Sequence, residues 1–105
     1  MAQFDVYRNP NPASRARIPY LLDVQSSLLE SLATRVVVPL CKTEVLSGKP
    51  AERLNPAVEI EGRKLYLLAP ELAGVPRKTL GEPVTNLAAE RRAVIEALDL
   101  VFTGI

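Results

Sequence analysis

Apolar residues recur at steps of three and four positions through the last nineteen residues of the chain, 87–105. This spacing places side chains on one face of an α-helix, so it predicts a C-terminal helix that begins near Asn86, a residue suited to an N-cap. The predicted core face consists of Leu87, Val94, Ile95, Leu98, Val101, Phe102 and Ile105. The opposite face carries a polar row made of Arg92, Glu96, Asp99 and Thr103. The helix is either a docking helix that closes a core or a contact surface for a partner.

The preceding part of the chain is dominated by short runs typical of β-strands. Residues 3–7 alternate polar and apolar side chains, which puts Phe4 and Val6 opposite Tyr7 on a half-buried strand. Residues 57–60 and 63–68 predict a hairpin, because Gly62 in the connection accepts the positive φ of a tight turn. Further strands are predicted at 19–24, 34–40 and 72–75, of which the β-branched run 36–38 is the clearest core strand.

Polar connections join these predicted strands. Residues 8–17 are rich in Pro, Asn and Ser and predict a long exposed hairpin loop. Residues 26–32 predict a turn that carries the adjacent Leu28 and Leu29, at least one of them exposed, and residues 42–54 predict an irregular connection. Together with nine scattered prolines, this order of elements predicts a single, mainly β (α+β) domain over residues 1–105 with one C-terminal helix.

The composition excludes most catalytic chemistry. The chain has no histidine, which removes the usual general base, the commonest metal ligand and the Ser-His and Cys-His pairs. Cys41 is the only cysteine, so no disulfide can form within the chain, and a packed thiol is the favoured interpretation. We therefore expect neither a catalytic residue nor a metal or cofactor.

Charge and hydropathy favour a protein partner. Thirteen basic and twelve acidic residues give a net charge of +1, and five aromatic residues without tryptophan offer little for base stacking. No apolar run approaches the roughly eighteen residues of a membrane span, and the first residues lack the pattern of a signal peptide. We expect a cytoplasmic protein with no membrane contact.

Six short motifs are distributed along essentially the whole chain. They are Gln-Phe-Asp-Val-Tyr at 3–7, Asp-Val-Gln-Ser at 23–26, Arg-Val-Val-Val-Pro-Leu at 35–40, Val-Pro at 75–76, Gly-Glu-Pro-Val at 81–84 and Phe-Thr-Gly-Ile at 102–105. Each motif alone is weak, whereas their order and spacing together are specific. Taken in this order, they resemble the CcdB-type toxins of toxin–antitoxin modules.

The resemblance implies an SH3-like β-barrel with an extra small antiparallel sheet and one C-terminal α-helix, assembled as a homodimer. It also implies a function: a toxin of a type II module, in the bacterial cytoplasm, that binds the A subunit of DNA gyrase and traps the cleaved-DNA complex. No catalysis by the toxin is needed. The implied second partner is a CcdA-type antitoxin, through which the complex would contact operator DNA.

The site residues implied by the resemblance fall into two groups. The gyrase-binding group is Ser26, Leu28, Leu29, Glu96, Asp99, Phe102, Thr103, Gly104 and Ile105. Of these, Phe102 and Ile105 are also expected to anchor the helix to the barrel. The arginines Arg8, Arg15 and Arg17 suit acidic residues of an antitoxin.

Two departures from the family pattern bear on function. Thr103 stands where the best-known members carry a tryptophan, which removes a large rigid contact area. The loop around residues 9–15 carries an apparent insertion, near the family's antitoxin contacts.

Two alternatives remain open. A ribonuclease of the related Kid and MazF toxins shares the barrel and would need acid, base and cation groups, for which Asp23, Arg35 and Glu59 are available. A degenerate homologue would keep dimerisation and antitoxin binding without toxicity.

Overall fold

The computed structural model describes residues 1–46 and 48–104, which form seven strands and one α-helix. The strands are β1 (Asp5–Arg8), β2 (Tyr20–Asp23), β3 (Thr34–Cys41), β4 (Ala57–Ile60), β5 (Arg63–Leu67), β6 (Ala73–Pro76) and β7 (Thr85–Asn86). The helix is α1 (Arg91–Thr103). Short 3₁₀ turns lie at Ser27–Leu29, Thr43–Val45, Ala69–Glu71, Arg77–Thr79 and Ala88–Glu90.

The strands form an antiparallel, nearly closed barrel in the order β4-β5-β3-β2-β1-β7. The long strand β3 has two partners along one edge, because residues 34–37 pair with β6 and residues 40–41 pair with β5. Pro39 lies between these ladders and accepts from the Leu68 amide, but it has no N–H to donate on that edge. The β3–β6 ladder is the extra small sheet, so the predicted fold class is confirmed.

The predicted hairpin is present as β4 and β5. Both residues of its connection have positive φ, 52° at Glu61 and 77° at Gly62, as a two-residue type I′ turn requires. Strand β5 ends at Leu67, one residue before the predicted end.

The first strand differs from its prediction. It begins at Asp5, because Phe4 adopts a φ of 71° and leaves the extended conformation. Tyr7 is fully buried, although the alternation put it on the face opposite Phe4 and Val6. The reason is a second apolar cluster on the outer side of the sheet, where Tyr7 packs with Leu21, Val37 and Leu80. Both faces of β1 are therefore covered.

The C-terminal helix starts later than predicted. The Asn86 side chain accepts a hydrogen bond from the Ala88 amide at 2.8 Å and forms an Asx turn. The N-cap of the 3₁₀ turn that follows is Leu87, and α1 begins at Arg91. Leu87 and Val94 belong to the barrel core, with Ile95 and Leu98 packed against it. Ala97 is also fully buried, a position that the large-residue pattern did not predict.

The prediction that Phe102 anchors the helix to the barrel is wrong. Its side chain is largely exposed, because the helix buries its core face through Leu98 and its last turn reaches past the buried cluster. The polar row of Arg92, Glu96, Asp99 and Thr103 is exposed, as predicted. Ile105, the other predicted anchor, lies outside the described residues.

Candidate functional site

Large apolar side chains are exposed at two places that are far apart in sequence. Leu28 is 93% exposed, Leu29 48%, Leu32 46% and Phe102 69%. We refer to these four residues as the apolar face. Scattered exposed leucines are common, but a group of them marks an interaction surface.

A cavity joins the two parts of the apolar face. It has a volume of about 330 Å³ and is lined by Leu29 and Leu32 of the turn and by Leu98 and Phe102 of α1, whereas Leu28 does not line it. Ser26 also lines it, together with Val24, Gln25, Thr34, Val36 and Leu72. The structure thus brings Ser26, Leu29 and Phe102 together, three residues that the sequence predicted as one site. It adds Leu32, whose only sequence signal was its three-residue spacing from Leu29.

The turn that carries the leucines is fastened to the barrel by a buried glutamine. The Gln25 side chain donates to the Leu29 carbonyl at 2.8 Å and accepts from the Val36 amide at 3.0 Å. Ser26 accepts from the Leu28 amide at 3.2 Å and so caps the 3₁₀ turn. These contacts hold Leu28 outward, where a flexible loop would let it fold back onto the core.

The end of the helix presents backbone and small side chains beside this cavity. The Thr103 hydroxyl donates to the Asp99 carbonyl at 2.7 Å, so it is already used within the helix. Gly104 has a φ of 73° and its amide donates to the Leu100 carbonyl at 3.0 Å, which ends the helix with a left-handed residue. Asp99, Thr103 and Glu96 are exposed but do not line the cavity, and Glu96 lies 3.9 Å from Arg92.

A second candidate site lies at the base of the 8–17 loop. A cavity of about 180 Å³ is lined by Arg8, Arg15, Arg63 and Tyr20, together with Asn9 and Pro19. We refer to it as the arginine pocket. Arg8 and Arg15 were predicted to act together, and Arg63 of strand β5 joins them, whereas Arg17 does not line the pocket. No sequence pattern indicated Arg63, because only the barrel brings β5 next to this loop.

Glu61 of the hairpin turn is the acidic group at the arginine pocket. Its carboxylate accepts a hydrogen bond from the Tyr20 hydroxyl and pairs with Arg8 at 3.0 Å. The bond from Tyr20 and then that from Arg8 lower the pKa of Glu61. Burial and the bond to Glu61 raise the pKa of Tyr20, so the hydroxyl keeps its proton and remains a donor.

Two of the groups considered for a ribonuclease are inaccessible. Asp23 and Arg35 are fully buried and form an ion pair, with Nε and Nη2 of Arg35 at 2.8 and 2.7 Å from Oδ2 of Asp23. Burial raises the pKa of Asp23, against the opposing effects of the Gln25 amide and Arg35. Glu59 is exposed on β4. The buried Asp23–Arg35 pair therefore cannot touch a bound RNA.

Residues 1–46 and 48–104 offer little for metal binding or nucleophilic catalysis. Among them, no group of three or more His, Cys, Asp or Glu side chains is placed to hold a metal ion. The Cys41 thiol is buried, and burial raises its pKa, which makes it a poor nucleophile. Within the same residues, α1 is too short to cross a bilayer and no other helix is long and apolar enough to do so.

Solved structures share this barrel. One is an endoribonuclease in complex with its cognate antitoxin from a mycobacterial species, with a TM-score of 0.74 and 17% identity over 97% of this chain and 94% of that one. Another is a mycobacterial endoribonuclease, with a TM-score of 0.72 and 17% identity over 97% of this chain and 90% of that one. At this identity the likeness shows the fold alone.

A protein-family model identifies the chain more specifically than these structures do. The model of the CcdB protein, a family of toxins from toxin–antitoxin modules, matches residues 3–104. The chain belongs to the CcdB family.

Proposed function

We propose that this protein is a type II toxin that poisons DNA gyrase by binding its A subunit and trapping the cleaved-DNA complex. The observation that carries the proposal is the apolar face, in which Leu29, Leu32 and Phe102 meet around one cavity and Leu28 is exposed on the same turn. Such a surface suits a protein partner. Membership of the CcdB family supports gyrase as that partner.

Trapping needs preferential binding to one state of the target and no catalytic group. Moving a two-state equilibrium from 1:99 to 99:1 takes about 5.5 kcal/mol of differential affinity. Burying one large apolar side chain contributes about 1.5–3 kcal/mol. Contacts of Leu28, Leu29 and Phe102 made only with the cleaved state are therefore of sufficient size.

Phe102 is the proposed main anchor of the gyrase contact. The neighbouring Thr103 hydroxyl is bonded to Asp99, so Thr103 offers a partner little more than its methyl group. The exposed ring of Phe102 lies one residue away and supplies a large rigid surface. Asp99, Gly104, Ser26 and Glu96 form the proposed rim, and Ile105 is assigned to the contact by the family motif only.

We propose further partners on the same grounds. The toxin acts as a homodimer in the bacterial cytoplasm and is neutralised by a CcdA-type antitoxin that contacts the loop carrying Arg8, Arg15 and Arg17. Operator DNA is contacted through the antitoxin. The Asp23–Arg35 pair considered for the ribonuclease alternative is buried, so it is not available to a bound RNA.

A gyrase cleavage assay tests the proposal. Purified protein is incubated with gyrase and supercoiled DNA, followed by detergent and protease. We expect linear DNA with the wild type, and a response about thirtyfold weaker with Leu28→Ala or Phe102→Ala, because an interface hot spot contributes about 2 kcal/mol. Lys78→Ala removes an exposed side chain away from the cavity and is expected to match the wild type.

Three results would contradict the proposal. They are absence of linear DNA with the wild type, full activity of both apolar-face variants, and degradation of a bare RNA substrate by the protein alone. Thermal unfolding of each variant separates loss of contact from loss of fold, because both side chains are exposed and their removal leaves the core intact.

A further inference from the structure

We infer that the arginine pocket is a carboxylate-binding subsite for an acidic peptide segment, and that Glu61, which pairs with two of the lining side chains in the free chain, competes with that segment. The pocket and its ligand class stand on the geometry alone. Only the identity of the partner, the antitoxin, rests on the proposed function.

The charges at the pocket are unbalanced. Arg8, Arg15 and Arg63 line a cavity of about 180 Å³ at which Glu61 is the acidic partner of Arg8 and Tyr20. Guanidinium groups stay charged at any working pH, so two positive charges remain in excess. A carboxylate from a partner meets two to three forked donors and the Tyr20 hydroxyl in one place, the arrangement that forms strong charge-assisted hydrogen bonds.

The pocket is organised before a ligand arrives. Asn9 is buried; its amide donates to the Ser14 hydroxyl at 2.9 Å and to the Ile18 carbonyl at 2.8 Å, which ties both ends of the loop together. The Arg15 amide donates to the Asn11 carbonyl at 3.0 Å within that loop. The Arg8 guanidinium lies over the Tyr20 ring, 5.9 Å from its centre. Less conformational freedom is therefore lost on binding than with a flexible loop.

Glu61 already makes two of the contacts that a bound carboxylate would make, those with Arg8 and Tyr20. It stands at a positive-φ position of the hairpin turn, where Gly, Asn or Asp is the usual choice. Its side chain is partly exposed, so it can turn to water when another carboxylate takes its place. Its presence lowers the apparent affinity for any acidic ligand, because the ligand must displace it.

An acidic peptide fits this surface better than a nucleic acid. Asn9 also lines a second cavity of about 240 Å³, whose other lining includes the apolar Ile18, Leu21, Val37 and Val75 and one acidic residue, Glu71. An acidic residue followed by apolar ones would fill both cavities. A nucleic-acid backbone instead needs a run of basic side chains along successive phosphates, which a chain of net charge +1 with a single arginine cluster offers poorly.

The test is an NMR titration of the intact chain that follows the arginine Nε–H signals. The probes are the capped tetrapeptide acetyl-Glu-Leu-Glu-Leu-amide, its Gln-Leu-Gln-Leu counterpart, inorganic phosphate and an oligothymidylate. We expect the acidic peptide to bind most tightly and to shift the signals of Arg8, Arg15 and Arg63. Its affinity is expected to fall at least fivefold in Arg63→Gln and Arg15→Gln, and to rise at least threefold in Glu61→Gln.

A matched control has the same change of charge elsewhere. Arg53→Gln removes an exposed arginine outside the pocket and is expected to change the affinity less than twofold. An equal loss in Arg53→Gln, equal binding of the glutamine peptide, or weaker binding in Glu61→Gln would overturn the inference. Tighter binding of oligothymidylate or phosphate would assign the pocket to phosphate groups and refute the carboxylate subsite.

The outcome is separable from that of the gyrase assay. Peptide binding by a chain that fails to poison gyrase would refute the proposed function and leave the pocket standing. Poisoning by a chain whose pocket ignores the acidic peptide would refute the pocket alone.

Discussion

Asp23 and Arg35 form an ion pair in the core. Substituting one partner is expected to cost a different amount of stability from substituting the other. Both side chains are fully buried, with Nη2 of Arg35 2.7 Å from Oδ2 of Asp23. Oδ1 of Asp23 also accepts from the Gln25 amide at 3.0 Å. Asp23→Asn keeps an oxygen for that amide and removes only the charge, whereas Arg35→Met removes the guanidinium and keeps an unbranched stem.

The two substitutions differ in expected cost. A guanidinium cannot lose its proton, so Asp23→Asn leaves a buried charge without a counterion, which costs about 3–5 kcal/mol. That is a large part of the about 5–15 kcal/mol that stabilises a domain. In Arg35→Met the carboxyl can take up a proton, as burial already raises the pKa of Asp23, and the cost is about 1–3 kcal/mol. The double variant is expected to be at least about 2 kcal/mol more stable than Asp23→Asn.

Urea unfolding of the wild type, both single variants and the double variant measures these differences. The pH dependence of the unfolding free energy is a second test, because its direction is predicted. Because Asp23 in Arg35→Met has a folded-state pKa above its unfolded value, its contribution is complete below the unfolded pKa and is lost as the pH rises through the folded pKa. The Arg35→Met variant should therefore gain stability relative to the wild type on going from neutral pH to about pH 4.

The reasoning fails if Asp23→Asn costs less than Arg35→Met, or if the double variant is no more stable than Asp23→Asn. Either result would mean that the Arg35 charge reaches water or another acceptor in the folded chain. Among the described residues, Nη1 of Arg35 has no hydrogen-bond acceptor.

Three further predictions concern Tyr7, Asn9 and Gly104. Burial, followed by the charge of Asp5, raises the pKa of Tyr7 to about 12, so the Tyr7 hydroxyl contributes about 3 kcal/mol to stability below pH 10 and loses this contribution as the pH rises through 12. Tyr7→Phe should abolish that part of the stability loss in alkaline unfolding, and an unchanged unfolding curve would refute the assignment. Asn9→Ala should lower the free energy of unfolding by about 1–3 kcal/mol, because its side-chain bonds hold the 8–17 loop; an unaltered urea midpoint would argue against that role. Gly104→Ala should destabilise the left-handed helix end by about 1 kcal/mol and speed amide exchange in the last turn about fivefold, with global stability little changed; exchange at the wild-type rate would contradict this.

The local pattern predicted the hairpin and the helix well. Alternation over 57–60 and 63–68, interrupted by a glycine, left little choice of structure, and the observed β4 and β5 follow it closely. The polar row of α1 was predicted from spacing and is exposed as expected. The same logic failed for Tyr7 and Phe102, because periodicity says which face a side chain shares and not whether that face is covered.

The candidate sites were predictable in part. Leu28 and Leu29 were expected to be exposed on a turn, and Leu29 meets Phe102 at one cavity. The arginine pocket was only half anticipated, since Arg63 replaces Arg17 in it. No pattern along the chain relates a residue of a β-hairpin to a loop more than forty positions away.

The sequence by itself determined the elements, the absence of histidine chemistry and the mainly β class, because apolar period, turn residues and composition act over a few positions. Only the tertiary structure decided that Asp23 and Arg35 are sealed in the core, that the leucine turn meets the helix end, and that Glu61 sits among arginines. Those contacts depend on strand register and on which faces of the barrel are covered, and both are set by packing between segments distant along the chain.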